Sequence, residues 1–105
     1  ERSGDAGLRS AVAYVTALTL HDLGRAREGL AAAAESLELA MSHHGPESPT
    51  TFQAATLHAL LLARVGRVQE ARAKLSPVLA AQTRILGADY PDTRDTKAAL
   101  DAILA

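Results

Sequence analysis

The sequence predicts an all-α domain of antiparallel helix–turn–helix repeats, on three observations. Apolar residues recur at the spacing of amphipathic helices, and the alternation that marks a strand is absent. Glycines divide the chain into five such segments. Two turn patterns return at one interval of 42 residues, from Gly24 to Gly66 and from Gly45 to Gly87. An interval of this length is typical of stacked helical repeats.

Each predicted helix is bounded by residues that start or stop helices. Gly24, Gly45, Gly66 and Gly87 follow the first four apolar segments, where a helix commonly ends. Pro91 opens the fifth segment, because proline is well tolerated in the first turn of a helix. The predicted helices therefore lie near 6–23, 26–43, 49–65, 68–86 and 91–104.

The helix near 49–65 is the most apolar segment of the chain. Ser48 is a favoured N-cap, and Pro49 suits the first helical position, where its missing N–H has no helical partner. The following residues are apolar on nearly every face, so this helix must be covered on more than one side. We expect Leu57, Leu60 and Leu61 to remain on its open side.

Two residues are unusual for the helices that contain them. Gly29 costs roughly 1 kcal/mol of helix propensity relative to alanine, which predicts close packing at this position. Pro77 cannot donate to the carbonyl of Ala73 and clashes with it, which predicts a kink or local opening of the fourth helix there.

The composition narrows the possible functions. The chain has no cysteine, which excludes disulfides, thiol catalysis and cysteine-based metal sites. A net charge of −1 gives no basic surface for nucleic acid or anionic membrane, and no segment is apolar over a bilayer's length. We predict a cytoplasmic protein, and the excess of arginine over lysine beside abundant alanine suggests a bacterial source.

The turn segments resemble tetratricopeptide repeats (TPRs) of the long, 42-residue, kinesin-light-chain-like type. That family has a pattern close to L-G-x-x-H-P-x-T before the first helix of a repeat and G-R-x-x-E-A at the turn. Residues 86–93 match the first pattern with Tyr90 in place of histidine, and residues 66–71 match the second in full. Residues 44–51 and 24–29 are looser copies, and the resemblance covers the chain from about Leu8 to its end.

The resemblance implies a right-handed superhelix of two and a half repeats within a single domain, 1–105. Its repeats would lie near 6–44 and 48–86, with a final capping helix near 90–105. The first helices of the repeats would line a concave groove, with Ala11, Asp22, Asp95, Ala98 and Ala99 among its residues. The predicted partner-binding residues are Tyr14, Val15, Leu18, His21, Gln53, Thr56, Leu57, Leu60 and Arg64.

This groove differs from that of many TPR relatives. The asparagines with which they hold a peptide backbone, and the lysine–asparagine set that grips a terminal carboxylate, are both missing here. The predicted groove is apolar, which favours a helix or a neighbouring subunit as its occupant.

We predict a protein-interaction module, a scaffold or adaptor segment of a larger regulatory protein. It would have no catalysis, cofactor or metal of its own. His43 and His44 are adjacent and diverge by about 100° on a helix, and the serines lack a nucleophile elbow. Alternatives are an accessory domain of an enzyme or sensor that binds a small apolar ligand, and a HEAT-like repeat. The sequence also allows a homodimer through the groove or through Leu100, Ile103 and Leu104.

Overall fold

The computed structural model describes the backbone of residues 2–104 and the side chains of residues 7–103. Its five helices are α1 (Arg2–Asp22), α2 (Ala26–His44), α3 (Pro49–Arg64), α4 (Val68–Ile85) and α5 (Pro91–Leu104). The described residues contain no strand. The prediction of an all-α fold with five helices is confirmed. The bounds of α2 to α5 agree with the sequence to within one residue, and α1 begins four residues earlier.

Consecutive helices pack side by side, and the short turns between them make neighbours antiparallel. Helix α3 lies between α2 and α4 and also contacts α1 and α5. The chain therefore forms a layered row of helices with α3 at its centre.

Helix α3 contributes to all three clusters of the apolar core. Phe52 and Ala54 pack with Leu37 of α2 and Val78 of α4. Leu57 and Leu61 pack with small residues of α1 and α2, and Ala59 and Leu62 pack with α4. This confirms that α3 is covered on more than one side. The expectation that Leu61 stays on the open side was wrong, because Leu61 is fully buried against α1 and α2.

The turns after α1 and α3 have the same hydrogen bonds. Arg25 N–H donates to the carbonyl of Leu20, and Arg67 N–H donates to that of Leu62, both at 2.8 Å. Gly24 and Gly66 occupy the left-handed region, with φ of 77° and 91°. A 6→1 bond closed by a left-handed glycine is the Schellman end of a helix, and glycine takes that conformation without a steric cost.

The interface between α1 and α2 includes a pair of buried serines. The hydroxyl of Ser10 donates to the carbonyl of Ser36 at 3.3 Å, and that of Ser36 donates to the carbonyl of Ser10 at 3.4 Å. Phe52 and Val78 stand 42 residues later in the second repeat and pack as apolar residues. This contact between paired helices is therefore polar in the first repeat and apolar in the second.

Gly29 lies where α2 approaches α1 and α3. A Cβ atom on this residue would stand 3.2 Å from Cβ of Leu20, 3.4 Å from the carbonyl oxygen of Ala17 and 3.5 Å from Cδ1 of Leu61. The close packing predicted from the sequence is confirmed.

The last helix is less exposed than the sequence suggested. Leu100 and Ile103 are half-buried and pack on the cluster that includes Leu62 and Leu75. The side chain of Leu104 lies outside the described residues.

Gly29→Val should destabilise the fold by about 1–3 kcal/mol, because added side-chain atoms overpack the contact with Leu20. Urea unfolding measures the change. Ala34→Val is the matched control, since it places valine at an exposed position of the same helix and carries only the propensity cost. Equal stability of the two variants would contradict close packing at Gly29.

Pro77→Ala should stabilise the domain by up to about 3 kcal/mol, the propensity cost of proline in a helix interior. Helix α4 continues through Pro77, which is exposed, so the substitution removes no buried contact. The measurement is the thermal midpoint, with Ser76→Ala as the neighbouring exposed control. A lower midpoint for Pro77→Ala would mean that packing requires the backbone that proline imposes.

Candidate functional site

The candidate site is a groove lined by α1, α3 and α5, with one contribution from α4. It contains a cavity of about 290 Å³. Phe52 and Leu57 are nearly fully buried in its floor, while Leu18 and Leu60 are more accessible. The floor is therefore apolar and rigidly packed on the core.

The structure brings all nine predicted partner-binding residues to this face. The cavity is lined by seven of them: Tyr14, Leu18, His21, Gln53, Thr56, Leu57 and Leu60. Val15 lines an adjoining hollow that shares Tyr14 and Gln53 with the cavity. Arg64 lines a second hollow that shares His21 and Leu60 with it. Of the other groove positions, Asp22 and Asp95 line the cavity, Ala11 and Ala99 line the hollows, and Ala98 lines none of the three.

The start of α3 is fixed by its capping residues, and this positions the floor. Ser48 Oγ accepts the N–H of Thr51 at 3.1 Å, and Thr51 Oγ1 donates to the carbonyl of Gly45 at 2.6 Å. Thr56 Oγ1 donates to the carbonyl of Phe52 at 2.8 Å, so its hydroxyl proton is used within the helix. The polar side chains of the cavity that remain for a ligand are those of Tyr14, His21, Gln53, Gln82 and three aspartates.

Sequence reasoning missed five lining residues: Pro49, Phe52, Gln82, Asp92 and Thr96. It considered only positions that the family pattern assigns to the groove. Gln82 is almost fully buried, and its Oε1 atom has no hydrogen-bond partner among the described residues. The equivalent residue of the first repeat, 42 positions earlier, is Ala40. The replacement of a small apolar residue by glutamine was the signal in the sequence that could have marked Gln82 as a functional residue.

The cavity has an acidic rim of three exposed aspartates, one on α1 and two on α5. Asp22, Asp92 and Asp95 line it, and no lysine or arginine is among its described lining residues. His21 Nδ1 lies 3.4 Å from Oδ1 of Asp22. The sequence predicted an apolar groove with Asp22 and Asp95 among its residues, and the structure adds Asp92 to these acidic residues.

Tyr14 joins the polar and apolar parts of the groove. Its ring packs on the core cluster of Ala17 and Leu57, and its side chain is half-buried. Burial raises the pKa of the Tyr14 hydroxyl, so the group stays protonated at neutral pH and can donate a hydrogen bond.

His58 is the half-buried histidine of α3, and it lines none of these hollows. Burial lowers its pKa, and the nearby charges of Lys74 and Arg67 lower it further. Its Nδ1 atom is buried without a hydrogen-bond partner in the part of the chain that the structure describes.

The described residues include no group of three potential metal ligands. None of their helices is long and apolar enough to cross a bilayer. Comparisons with protein-family models, curated proteins and solved structures found no significant match to this chain.

The stability of the domain should fall as the pH drops below about 6.5, the ordinary pKa of histidine. The folded-state pKa of His58 is lower than that value, so the unfolded chain binds the proton more readily and acid favours unfolding. The free energy of unfolding, measured in urea at pH 7.5 and pH 5, should fall less on acidification in His58→Gln than in the natural chain.

Lys74→Met provides a second check, because removal of a nearby positive charge raises the pKa of His58 towards its ordinary value. This variant should also lose less stability on acidification. An unchanged pH dependence in both variants would contradict the assignment to His58.

Proposed function

We propose that this chain is a TPR-like protein-interaction module whose groove binds a helix of a partner protein. The observation that carries the proposal is the concave face on which α1, α3 and α5 place an apolar floor and an acidic rim side by side. The 42-residue repeat and the identical turns at Gly24 and Gly66 support the family assignment. A module of this kind acts by binding and has no catalysis of its own.

The groove chemistry favours a helix over an extended peptide. An extended backbone needs donors and acceptors along the groove, since its own N–H and C=O groups are unpaired. Positions where relatives carry asparagine hold Tyr14, Val15 and Leu57 here, and the hydroxyl of Thr56 bonds within its own helix. A helical partner satisfies its own backbone and needs only an apolar face against Leu18 and Leu60.

The acidic rim determines the charge expected of the partner helix. Asp22, Asp92 and Asp95 at the cavity edge would pair with lysine or arginine beside the apolar stripe of the bound helix. The proposed partner is therefore a basic amphipathic helix, and the proposed setting is a scaffold or adaptor segment of a larger bacterial regulatory protein in the cytoplasm.

A small-molecule site is the second candidate, and Gln82 favours it. Its buried Oε1 lacks a partner among the described residues, lies at the cavity and would accept a hydrogen bond from a ligand N–H. A cavity of about 290 Å³ is at the small end of ligand sites. Chemical-shift changes confined to Gln82 and Tyr14 in a fragment screen would support this candidate over the helix groove.

The proposal is tested with two designed helical peptides that share a leucine stripe and differ in flanking lysines or glutamates. We expect the lysine peptide to bind more tightly and its affinity to fall with added salt, because the rim is acidic. Leu60→Gln should weaken binding about tenfold or more, and Asp92→Asn with Asp95→Asn should remove most of the salt dependence. Fluorescence anisotropy of labelled peptides measures each affinity.

Ile85→Gln is the matched control, because Ile85 is an exposed apolar residue that lines none of the groove hollows. It should leave the affinity unchanged. Equal binding of the two peptides would refute the role of the acidic rim. Failure of both peptides to bind would refute the groove as a helix site.

A further inference from the structure

The first helices of the repeats, α1, α3 and α5, have two flanks that pack against second helices. The flank towards the following helix carries equivalent residues 42 positions apart: Ser10, Ala13 and Ala17; Phe52, Ala55 and Ala59; Arg94, Lys97 and Asp101. The flank towards the preceding helix carries another set: Val12, Val15 and Thr19; Ala54, Leu57 and Leu61; Thr96, Ala99 and Ile103. We call these the following flank and the preceding flank.

Helix α3 shows what each flank requires when it is covered. On its preceding flank, Ala54, Leu57 and Leu61 are 2%, 4% and 0% exposed. Ala54 shares a cluster with Leu37 and Ala40 of α2, and Leu61 shares another with Ala33. The preceding flank is therefore built to receive a helix with a stripe of alanine and leucine.

The following flank of α5 is different in character. Arg94, Lys97 and Asp101 stand where the earlier copies have buried serine, phenylalanine or alanine, and all three are exposed. Lys97 Nζ donates to Oδ2 of Asp101 at 3.1 Å along the helix surface. A polar outer flank is typical of the terminal helix of a repeat array.

Among the described residues, the preceding flank of α1 carries no charged residue in the set Val12, Val15 and Thr19. Val12 and Val15 are 58% and 59% exposed, and Leu8 and Leu23 on the same side are 65% and 63% exposed. A row of exposed aliphatic residues of this kind marks an interaction surface. The two ends of the helix row thus differ, since α5 is polar where a helix would follow and α1 is apolar where a helix would precede.

We propose that the α1 flank of Leu8, Val12, Val15 and Leu23 docks an α-helix with an alanine–leucine stripe of the α2 kind. The docked helix would lie antiparallel to α1, as α2 lies against α3. The set Val12, Val15 and Thr19 has a bulk similar to that of Ala54, Leu57 and Leu61, so the same helix separation fits both. The flank is the 42-residue equivalent of an interface that the chain already forms.

A second folded copy has no free helix of this kind to offer. Within the described chain, α2 already packs between α1 and α3, and α4 packs between α3 and α5. The occupant is therefore a helix from a further repeat unit, with the same stripe chemistry. Two copies could then pair only through their α1 flanks, and sedimentation of the chain alone would detect that dimer.

The test uses the full chain and a synthetic peptide of residues 25–45, the helix that covers the equivalent flank of α3. The peptide is held helical by a hydrocarbon staple between the exposed positions 31 and 35. Fluorescence anisotropy should show saturable binding. Val12→Glu with Leu23→Glu should weaken this binding at least tenfold, whereas Met41→Glu and Ile85→Glu, at exposed residues elsewhere, should leave it unchanged.

Substitutions in the peptide test the same contact and do not depend on whether the chain variants fold. Ala33→Glu and Leu37→Glu in the peptide place charge on its stripe and should abolish binding. The double chain variant should still bind the lysine peptide of the groove experiment, since neither Val12 nor Leu23 lines the groove.

Three results would overturn the proposal. The first is absence of saturable peptide binding. The second is binding that Val12→Glu with Leu23→Glu does not weaken, because the peptide would then be exchanging with α2 of the chain. The third is sedimentation of the chain alone as a dimer that this variant converts to a monomer, because the occupant would then be a second copy.

Discussion

The fold depends on the burial of α3 from two sides. This helix is too apolar to present one face to a core and another to water, and it supplies residues to every core cluster. Alanine and glycine at the contacts let its neighbours approach closely, as the short distances around Gly29 show. Close approach of small side chains takes the place of the aromatic residues that the chain largely lacks, at 3% of its composition.

The repeated turns extend this packing along the chain and so produce the groove. Because Gly24 and Gly66 end α1 and α3 in the same way, α2 and α4 leave these turns in the same relation to the helices before them. Helices α1, α3 and α5 line one groove, where their polar residues at the cavity include Asp22, Gln53 and Asp95. The groove is thus a consequence of stacking, and its chemistry can vary without change to the core.

The same stacking gives the domain two unlike ends. Each first helix has one flank for the helix before it and one for the helix after it, and within residues 7–103 only α3 has both flanks covered. At α5 the uncovered flank is charged and includes Lys97 and Asp101, whereas at α1 it exposes Val12 and Val15. This difference separates a surface suited to water from one suited to another helix.

The sequence by itself determined the helices, their bounds and the repeat, since glycine stops, proline starts and helical spacing are local signals. The resemblance of its turns to tetratricopeptide repeats also predicted Tyr14, Leu18, Gln53 and Leu60 on one face, and these four residues line the cavity together.

Only the tertiary structure decided which sides of α3 are covered. Leu60 and Leu61 are adjacent on a helix that is apolar all round, and the position of α2 buries the second and leaves the first accessible. Gln82 and Asp92 were likewise beyond the pattern, because Gln82 reaches the groove from the second helix of a repeat, α4, and Asp92 from the first turn of α5. Which apolar residue is buried depends on where the neighbouring helices lie, and the periodicity of a single helix does not contain that information.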